Sequence, residues 1–385
     1  MAVGWARGTG SQSEDESTTL WLAELRLRDF RNYAVTDLSF GPGVTCIVGP
    51  NAQGKSNLLE AVYTVALGRS PRAERDAEVV GFGSDRAYVR ATVRGMHVQV
   101  LEVAFDRVTG ARRIKVNGVA ATRGQLLGRC VVVLAGSLDD EMVRGAPVHR
   151  RRVMDAALSQ LSPSYFFTLT RYTRVLKQRN HVLRTSEAAS ALEPWDDQVV
   201  ELGAVLVSRR REFVRRLAER AAVRHARLTG GDEQLGVRYE SAAGDGDERV
   251  ALRQALEACR AEDRRRGTTQ VGPHRDDLQL ALNGVDARTF GSRGQHHTVA
   301  LSLRLAEVDL LKEELGEWPV VLLDDVLAHL DATRQALLLR EVDGPQVLLT
   351  HTEAPPVPGI PMGLLRVRAG EIVEDPGVPA RGPAL

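Results

Sequence analysis

Apolar residues fall at alternate positions, or in short unbroken runs, through much of the first third of the chain. The segments are LAELRLRDF (22–30), VTDLSF (35–40), VTCIVG (44–49), AYVRATV (87–93), VQVLEVAF (98–105), RRIKVNG (112–118) and CVVVLAG (130–136). A two-residue period puts successive side chains on opposite faces, so these segments predict strands. Between the third and fourth, NLLEAVYTVALG (57–68) has helical spacing, giving an α/β lobe with a β-rich flank. From 138 to 266 the pattern becomes helical, long and studded with arginine, with few strand signals, which predicts an inserted helical arm. Beyond it come a strand at LQLALNG (278–284), a helix opened by FGSRGQ (290–295) and a strand at PVVLLDD (319–325). A helix through TRQALLLREV (333–342), a strand at QVLLTH (346–351) and a last pair within LLRVRAGEIVE (364–374) complete the chain. This second half is expected to resume the sheet begun by the first.

These shifts divide the chain into five parts: an N-terminal extension (1–19), a first lobe (20–137), the arm (138–266), a second lobe (267–371) and a tail (372–385). The two ends are rich in Gly, Ser, Pro and charge and are expected to lack fixed structure. With 385 residues, 43% of them hydrophobic, the chain can bury a large core. No apolar run approaches the roughly 20 residues needed to span a bilayer, and the N-terminus lacks the apolar centre of a secretory signal. A soluble, cytoplasmic protein with no membrane partner is expected. Cys46, Cys130 and Cys259 are far apart and make neither a metal-ligand pattern nor a disulfide set.

The net charge of +1 conceals an asymmetry. Residues 144–228 hold 17 Lys and Arg against 8 Asp and Glu, while the rest of the chain holds 34 against 42. Such a stretch is either a solvated helix face or a surface for phosphate.

The chemistry begins at GPNAQGKS, Gly49 to Ser56, which fits G-x-x-x-x-G-K-[ST] directly after a strand and before a helix. The glycines let backbone N–H groups wrap a β-phosphate, Lys55 reaches the β- and γ-phosphates, and the Ser56 hydroxyl belongs on Mg²⁺. Asn51, Gln53, Gly54 and Asn57 complete this stretch of the nucleotide site. In VVLLDD (320–325) an apolar strand ends in two carboxylates. Asp324 is placed to hold the metal, directly or through water, and Asp325 either orients the attacking water or caps the following helix. Asp331, in LAHLD, faces a partner or caps the next helix. Ser292, Gly294 and Gln295 open a helix whose Val299, Leu303, Ala306 and Leu310 form one apolar face, so its N-terminal end is free to meet an anion.

The order P-loop, insertion, Ser-x-Gly-Gln helix, LLDD, LD and a histidine at a strand end (His351) resembles the ABC-type P-loop ATPase heads of Rad50 and SMC proteins. More closely, the chain resembles the RecF family of bacterial recombinational repair proteins. The likeness runs through LRDFRNY (27–33), GPNAQGKSNLLEAV (49–62), RGAPVHRRRVMD (144–155), YFFTLTRYTRVLKQRN (165–180), GPHRDDL (272–278), the FGSRGQ stretch and LLDDVLAHLD (322–331). It implies an ABC-type head with an inserted α-helical arm, and ATP and Mg²⁺ as cofactors. It also implies a head-to-tail homodimer in which Ser292, Gly294 and Gln295 meet the nucleotide of the second copy. Arg31 and Asn32 are expected near the base, with Tyr33 in the core.

The function implied is that of an ATP-dependent clamp on gapped or junction DNA that works with RecO- and RecR-like partners. Arg150, Arg151, Arg152, Arg171, Arg174, Lys177 and Arg179 are then the expected phosphate contacts. Four departures stand out. Ala52 replaces a glycine and is expected to tighten the loop without blocking phosphate, and Arg293 enlarges the signature turn. LAGSLDD (134–140) lacks the Gln or Glu of a water-sensing loop, and Asp325 is a methylene shorter than the usual Glu, consistent with slow hydrolysis. A transporter ATPase would have little use for a basic arm, and a chromosome tether would need hundreds of coiled-coil residues. A nuclease would need an acidic cluster outside the ATP site. Asp276 and Asp277 in GPHRDD are the only candidate, and a structural or nucleotide-sensing role suits them better.

Overall fold

The computed structural model describes residues 20–136, 139–186, 188–329, 332–354 and 360–373. The extension at 1–19, the tail from 374, part of LAGSLDD and Asp331 lie outside the described residues. The strands β1 (Trp21–Phe30) and β2 (Tyr33–Ser39) lead into β3 (Val44–Val48) and helix α1 (Lys55–Leu67). Then follow β4 (Arg86–Arg94), β5 (Gln99–Asp106), β6 (Arg112–Val116), β7 (Val119–Ala121), the short α2 (Arg123–Leu126) and β8 (Val132–Gly136). Helices α3 (Asp139–Arg144), α4 (Pro147–Leu161), α5 (Pro163–Thr185) and α6 (Glu193–Thr229) come next, then β9 (Leu235–Glu240) and α7 (Glu248–Arg266). The chain continues through β10 (Asp277–Leu282), β11 (Val285–Asp286), the short α8 (Ala287–Phe290) and α9 (Arg293–Leu315). It closes with β12 (Val320–Asp324), α10 (Ala332–Glu341), β13 (Val347–His351), β14 (Met362–Arg368) and β15 (Glu371–Val373).

Two six-stranded sheets enclose α1. The antiparallel one has the order β2-β1-β4-β5-β6-β7, and the mainly parallel one β15-β14-β3-β13-β12-β8. Strands of the parallel sheet are buried on both faces, which is why VTCIV and VVLLD read as unbroken apolar runs. The antiparallel strands alternate instead, with Val89, Ala91, Val93, Leu101, Val103 and Phe105 packed in one core with Leu58, Ala61, Val62 and Val65 of α1. As expected, strands of the second half resume the first half's sheet: β12 lies between β8 and β13, and β13 pairs with β3. The carboxyl ends of β3, β12 and β13 therefore share one edge. That edge is where an α/β sheet presents its ligand site.

Two expectations need correcting. The arm region contains a strand, β9, and LQLALNG does not join the main sheet. β10 instead pairs with β9 and β11 in a separate three-stranded sheet. The physical reason was present in the chain: Gly230 ends α6 in the left-handed conformation (φ 71°), and Leu235, Val237 and Tyr239 then alternate with polar residues. β9 and β10 pack with α4, α6 and α9 in one apolar core. Among the described residues, no helix is long and apolar enough to cross a membrane. The three cysteines are free thiols, two of them buried.

Candidate nucleotide site and cationic arm

Gly49 to Ser56 link β3 to α1 and wrap a cavity of ≈ 320 Å³ lined by Asn51, Ala52, Gly54, Lys55, Ser56, Asn57, Arg72, Asp325 and Thr350. Gly54 has φ 113°, and a Cβ there would lie 2.5 Å from the Asn32 amide nitrogen, so only glycine fits without displacement. Ala52 also adopts a left-handed conformation, φ 62°, at a cost of about 1 kcal/mol for an L residue. The Lys55 ammonium donates to the Gly49 and Pro50 carbonyls at 2.7 and 2.9 Å, holding it folded over the loop it serves.

The residues around the loop fix its shape. Tyr33, fully buried, donates its hydroxyl to the Gly54 carbonyl (3.0 Å), and burial pushes its phenol pKa up, keeping it a donor. Asn32 donates to the Gln53 carbonyl (3.0 Å) and accepts from the Asn57 amide (2.8 Å). The turn between β14 and β15 closes the other side, with Ala369 N–H on the Gln53 side chain (2.7 Å) and Gly370 N–H on its carbonyl (2.9 Å). Arg31 forms a two-point contact with the buried Glu60 (2.7 and 3.1 Å) and donates to the Glu78 carbonyl (2.7 Å). Arg31 and Asn32 thus brace the site from outside. Arg72 also pairs with Glu60 (3.3 Å) and donates to the Ser56 carbonyl.

Across the cavity, Ser56 donates to Asp324 Oδ1 (2.7 Å), and so does the Thr350 hydroxyl (2.9 Å), which itself accepts from Asp325 N–H (2.9 Å). Asp325 sits at φ 59°, and its Oδ1 is buried without a hydrogen-bond partner. A buried carboxylate oxygen left unpaired is costly. Together with the Ser56 hydroxyl and Asp324 it makes a hard-oxygen donor set that fits Mg²⁺ and a water molecule. Gly136 at the end of β8 permits this arrangement, because a Cβ there would lie 2.7 Å from the Asp324 Cβ. His351, at the end of β13, is half-buried and turns back on Thr352 and Glu353. Thr350, Arg72 and Glu60 escaped sequence reasoning, since isolated residues carry no spacing signal. In LAGSLDD, Asp139 accepts from Gly136 N–H (2.9 Å) and from Arg304 (2.7 Å).

Ser292 caps α9: its hydroxyl accepts from Gln295 N–H (3.3 Å), while the Gln295 side chain accepts from Ser292 N–H (2.8 Å) and donates to Glu233 (2.7 Å). Ser292, Arg293 and Gly294 lie at the surface, and none of them lines the P-loop cavity of the same chain.

The arm arginines separate into two groups. Arg150 is 2% exposed, forms a two-point contact with Asp277 (2.7 and 2.8 Å) and donates to three carbonyls. Arg179 is fully buried between Asp196 (2.6 Å) and Asp263 (2.6 Å). These two are therefore withdrawn as phosphate contacts, because each is committed to a buried pair whose disruption leaves an uncompensated charge. Asp276 and Asp277 are likewise structural, the first accepting from Ala242 N–H (2.8 Å) and Tyr239. Arg151 is half-buried and donates to the Asp276 carbonyl (2.6 Å). Arg152, Arg171, Arg174 and Lys177 are exposed and make no ion pair among the described residues. Arg171, Arg174 and Lys177 lie three residues apart on α5, which contains no acidic residue. On α6, by contrast, Arg211, Arg215, Arg216, Arg220, Arg224 and Arg227 all pair with carboxylates. The local excess of positive charge is thus presented to solvent mainly by α5.

Comparison with known proteins agrees with this architecture. Residues 24–192 match the AAA domain family model. The DNA replication and repair protein RecF of Symbiobacterium thermophilum is 40% identical over 372 residues, covering 92% of this chain and 99% of that protein. Its counterpart from Gloeobacter violaceus is 41% identical over 345 residues, covering 86% and 92%. A solved structure of the recombination mediator protein RecF with ATP, from the RecFOR pathway, superposes with a TM-score of 0.87 at 33% identity over 94% of this chain and 99% of that one. An SMC head domain from Pyrococcus furiosus, at TM-score 0.54 and 17% identity over 92% of this chain and 96% of its own, shares the fold. The fold is that of an ABC-type ATPase head.

Proposed function

Because the chain belongs to the RecF family of DNA replication and repair proteins, we propose that it is an ATP-dependent DNA clamp of recombinational repair. ATP binding drives a head-to-tail homodimer on gapped or junction DNA, slow hydrolysis releases it, and RecO- and RecR-type partners use the bound state to load recombinase in the cytoplasm. One observation carries this reading: the P-loop cavity is built, yet the signature turn of Ser292 and Gly294, at the surface, lies outside it. A second copy in a symmetric head-to-tail pair supplies that turn to each cavity. The site of one chain is then half of a working site.

Within each half, Gly54, Lys55 and the loop N–H groups hold the phosphates. Mg²⁺, held by Ser56 and Asp324, would neutralise charge on the β- and γ-oxygens. Asp325, with its unpaired oxygen, orients the attacking water, and Thr350 holds the Asp324 carboxylate and the Asp325 main-chain N–H. DNA lies on the cationic face of α5, read through its phosphates without sequence preference. A tether of the SMC type is disfavoured because α6, the longest described helix, is tied through its C-terminal part to α9 and α10 by Arg216, Arg220 and Arg224.

The test is to replace Arg171, Arg174 and Lys177 together by Ala and titrate duplex DNA in the presence of ATP across salt. The slope of log K against log salt should shrink by about 0.9 for each DNA phosphate that the variant no longer neutralises. ATP binding should be unchanged. An unaltered slope places DNA elsewhere.

A further inference from the structure

A second cavity, ≈ 520 Å³, lies between α1, β8 and the arm helices α4 and α5. It shares Ser56, Glu60, Arg72, Gly136 and Asp324 with the nucleotide site and its supports, and most of its wall belongs to other residues. Four guanidinium groups in and around it are neutralised: Arg72 by Glu60, Arg112 by Asp76 (2.8 Å), Arg210 by Asp155 (2.8 Å), and Arg304 by Asp139 and Glu307 (2.7 and 2.8 Å). Four in its lining are not. Arg69, Arg123, Arg151 and Arg152 have no carboxylate in ion-pair contact among the described residues, and Arg151 donates instead to the Asp276 carbonyl (2.6 Å). Arg69 and Arg123 are half-buried, and the Arg123 guanidinium lies 5.2 Å over the Phe166 ring while its Nε donates to the Leu67 carbonyl (2.7 Å).

Keeping unpaired cations together in a partly dry cavity is unfavourable. The cost shows in the groups themselves: burial, and then the neighbouring Arg69 and Arg112, pull the Arg123 pKa down to about 10. Burial, with Arg152 and Arg112, lowers that of Arg69. Guanidinium forks are suited to phosphate oxygens, which they bind in two-point contacts. The rest of the lining includes apolar and aromatic side chains, among them Tyr63, Phe166 and Leu169. A volume of this size is in the usual range for small-molecule sites, about 300–1,000 Å³, and a double helix is too wide to enter it.

We propose that this cavity is a second anion site, distinct from the P-loop, that takes a small phosphorylated ligand of mononucleotide size through Arg69, Arg123 and Arg152. A free nucleoside phosphate and the terminal phosphate of a DNA strand present the same chemistry there. The ligand neutralises the cluster and joins α1, which follows the P-loop, to the arm helix that carries the cationic face.

The experiment uses the full-length chain with Lys55→Met, which disables the P-loop, and titrates inorganic pyrophosphate and a 5′-phosphorylated trinucleotide in parallel by calorimetry. At least one titrant should bind, and adding Arg69→Gln and Arg123→Gln should weaken it about tenfold or more, the loss expected for charge-assisted bonds. Whichever titrant binds more tightly identifies the source of the phosphate. Arg152→Gln alone, on the exposed rim, guards against misfolding and should weaken binding about threefold or more. With Lys55 intact, the Arg69→Gln/Arg123→Gln chain should bind ATP as the parent does. Absence of binding of both titrants in the Lys55→Met background, or equal affinity with and without the arginines, overturns the proposal.

Discussion

Gly294 gives the shared-site model a perturbation that is silent in one chain and costly in two. It occupies the first turn of α9, is exposed, and a Cβ built on it meets nothing within 4 Å. Within a single chain, Gly294→Ala should therefore be neutral or stabilising, by about 0.5 kcal/mol from reduced backbone entropy. If the turn closes on a phosphate held by a second copy, the added methyl stands in a polar seam where N–H groups must reach oxygen at hydrogen-bond distance. Losing one such donor to a developing charge costs about 10²–10³ in rate. ATPase activity should fall by at least about tenfold, since partial retreat of the turn preserves some of that stabilisation. The assays are urea unfolding of the nucleotide-free chain, fluorescent ATP binding under monomer conditions, and steady-state ATPase with DNA. The first should match or slightly exceed the parent, the second should match it, and the third should fall. A variant that dimerises with ATP and hydrolyses at the parental rate would refute the reasoning.

Two further outcomes follow from the site and its surroundings. Thr350→Val removes both the donor to Asp324 and the acceptor of Asp325 N–H. It should lower ATPase kcat about tenfold and raise the Mg²⁺ concentration needed, with little change in ATP affinity, and an unchanged Mg²⁺ profile would remove Thr350 from the metal's support. His274 donates Nε2–H to the Thr269 carbonyl (3.0 Å), accepts from the Tyr172 hydroxyl at Nδ1 (2.8 Å), and burial holds its pKa near about 4. An unfolded imidazole titrates near about 6.5, so protonation favours unfolding. This part of the stability is complete above that pH and is lost, by up to about 3 kcal/mol, as pH falls toward about 4. Urea midpoints from pH 7 to 4.5 should fall more steeply for the parent than for His274→Gln, and parallel slopes would contradict the buried, neutral histidine.

The nucleotide half-site was legible because its chemistry uses consecutive residues: a loop that wraps phosphate needs its glycines and lysine at fixed offsets, directly after a strand. The supports were not. Thr350 acts through one hydroxyl, and Glu60 through a carboxylate that meets Arg31 only after the chain has folded. Charge was half legible. Counting gave an excess in the arm, but Arg179 meets Asp263 and Arg224 meets Asp309 across more than eighty residues of sequence, and no local pattern marks such pairs. What distinguishes α5, in retrospect, is the complete lack of acidic residues along its length. β9 is hard to read because six alternating residues are a weak signal among long helices, although the Gly230-Gly231 pair before it marks the break.

Mixing two inactive variants tests the shared site most directly. Ser292→Arg places a long cation at the helix end, at the surface, and leaves Lys55 and Ser56 untouched, while Lys55→Met disables the P-loop and leaves the signature turn intact. In a head-to-tail heterodimer one composite site carries both lesions and the other carries neither. The account predicts that each protein alone is inactive and that the mixture recovers ATPase activity, toward about half the parental rate per heterodimer. If heterodimers form and the mixture stays inactive, independently working shared sites are contradicted.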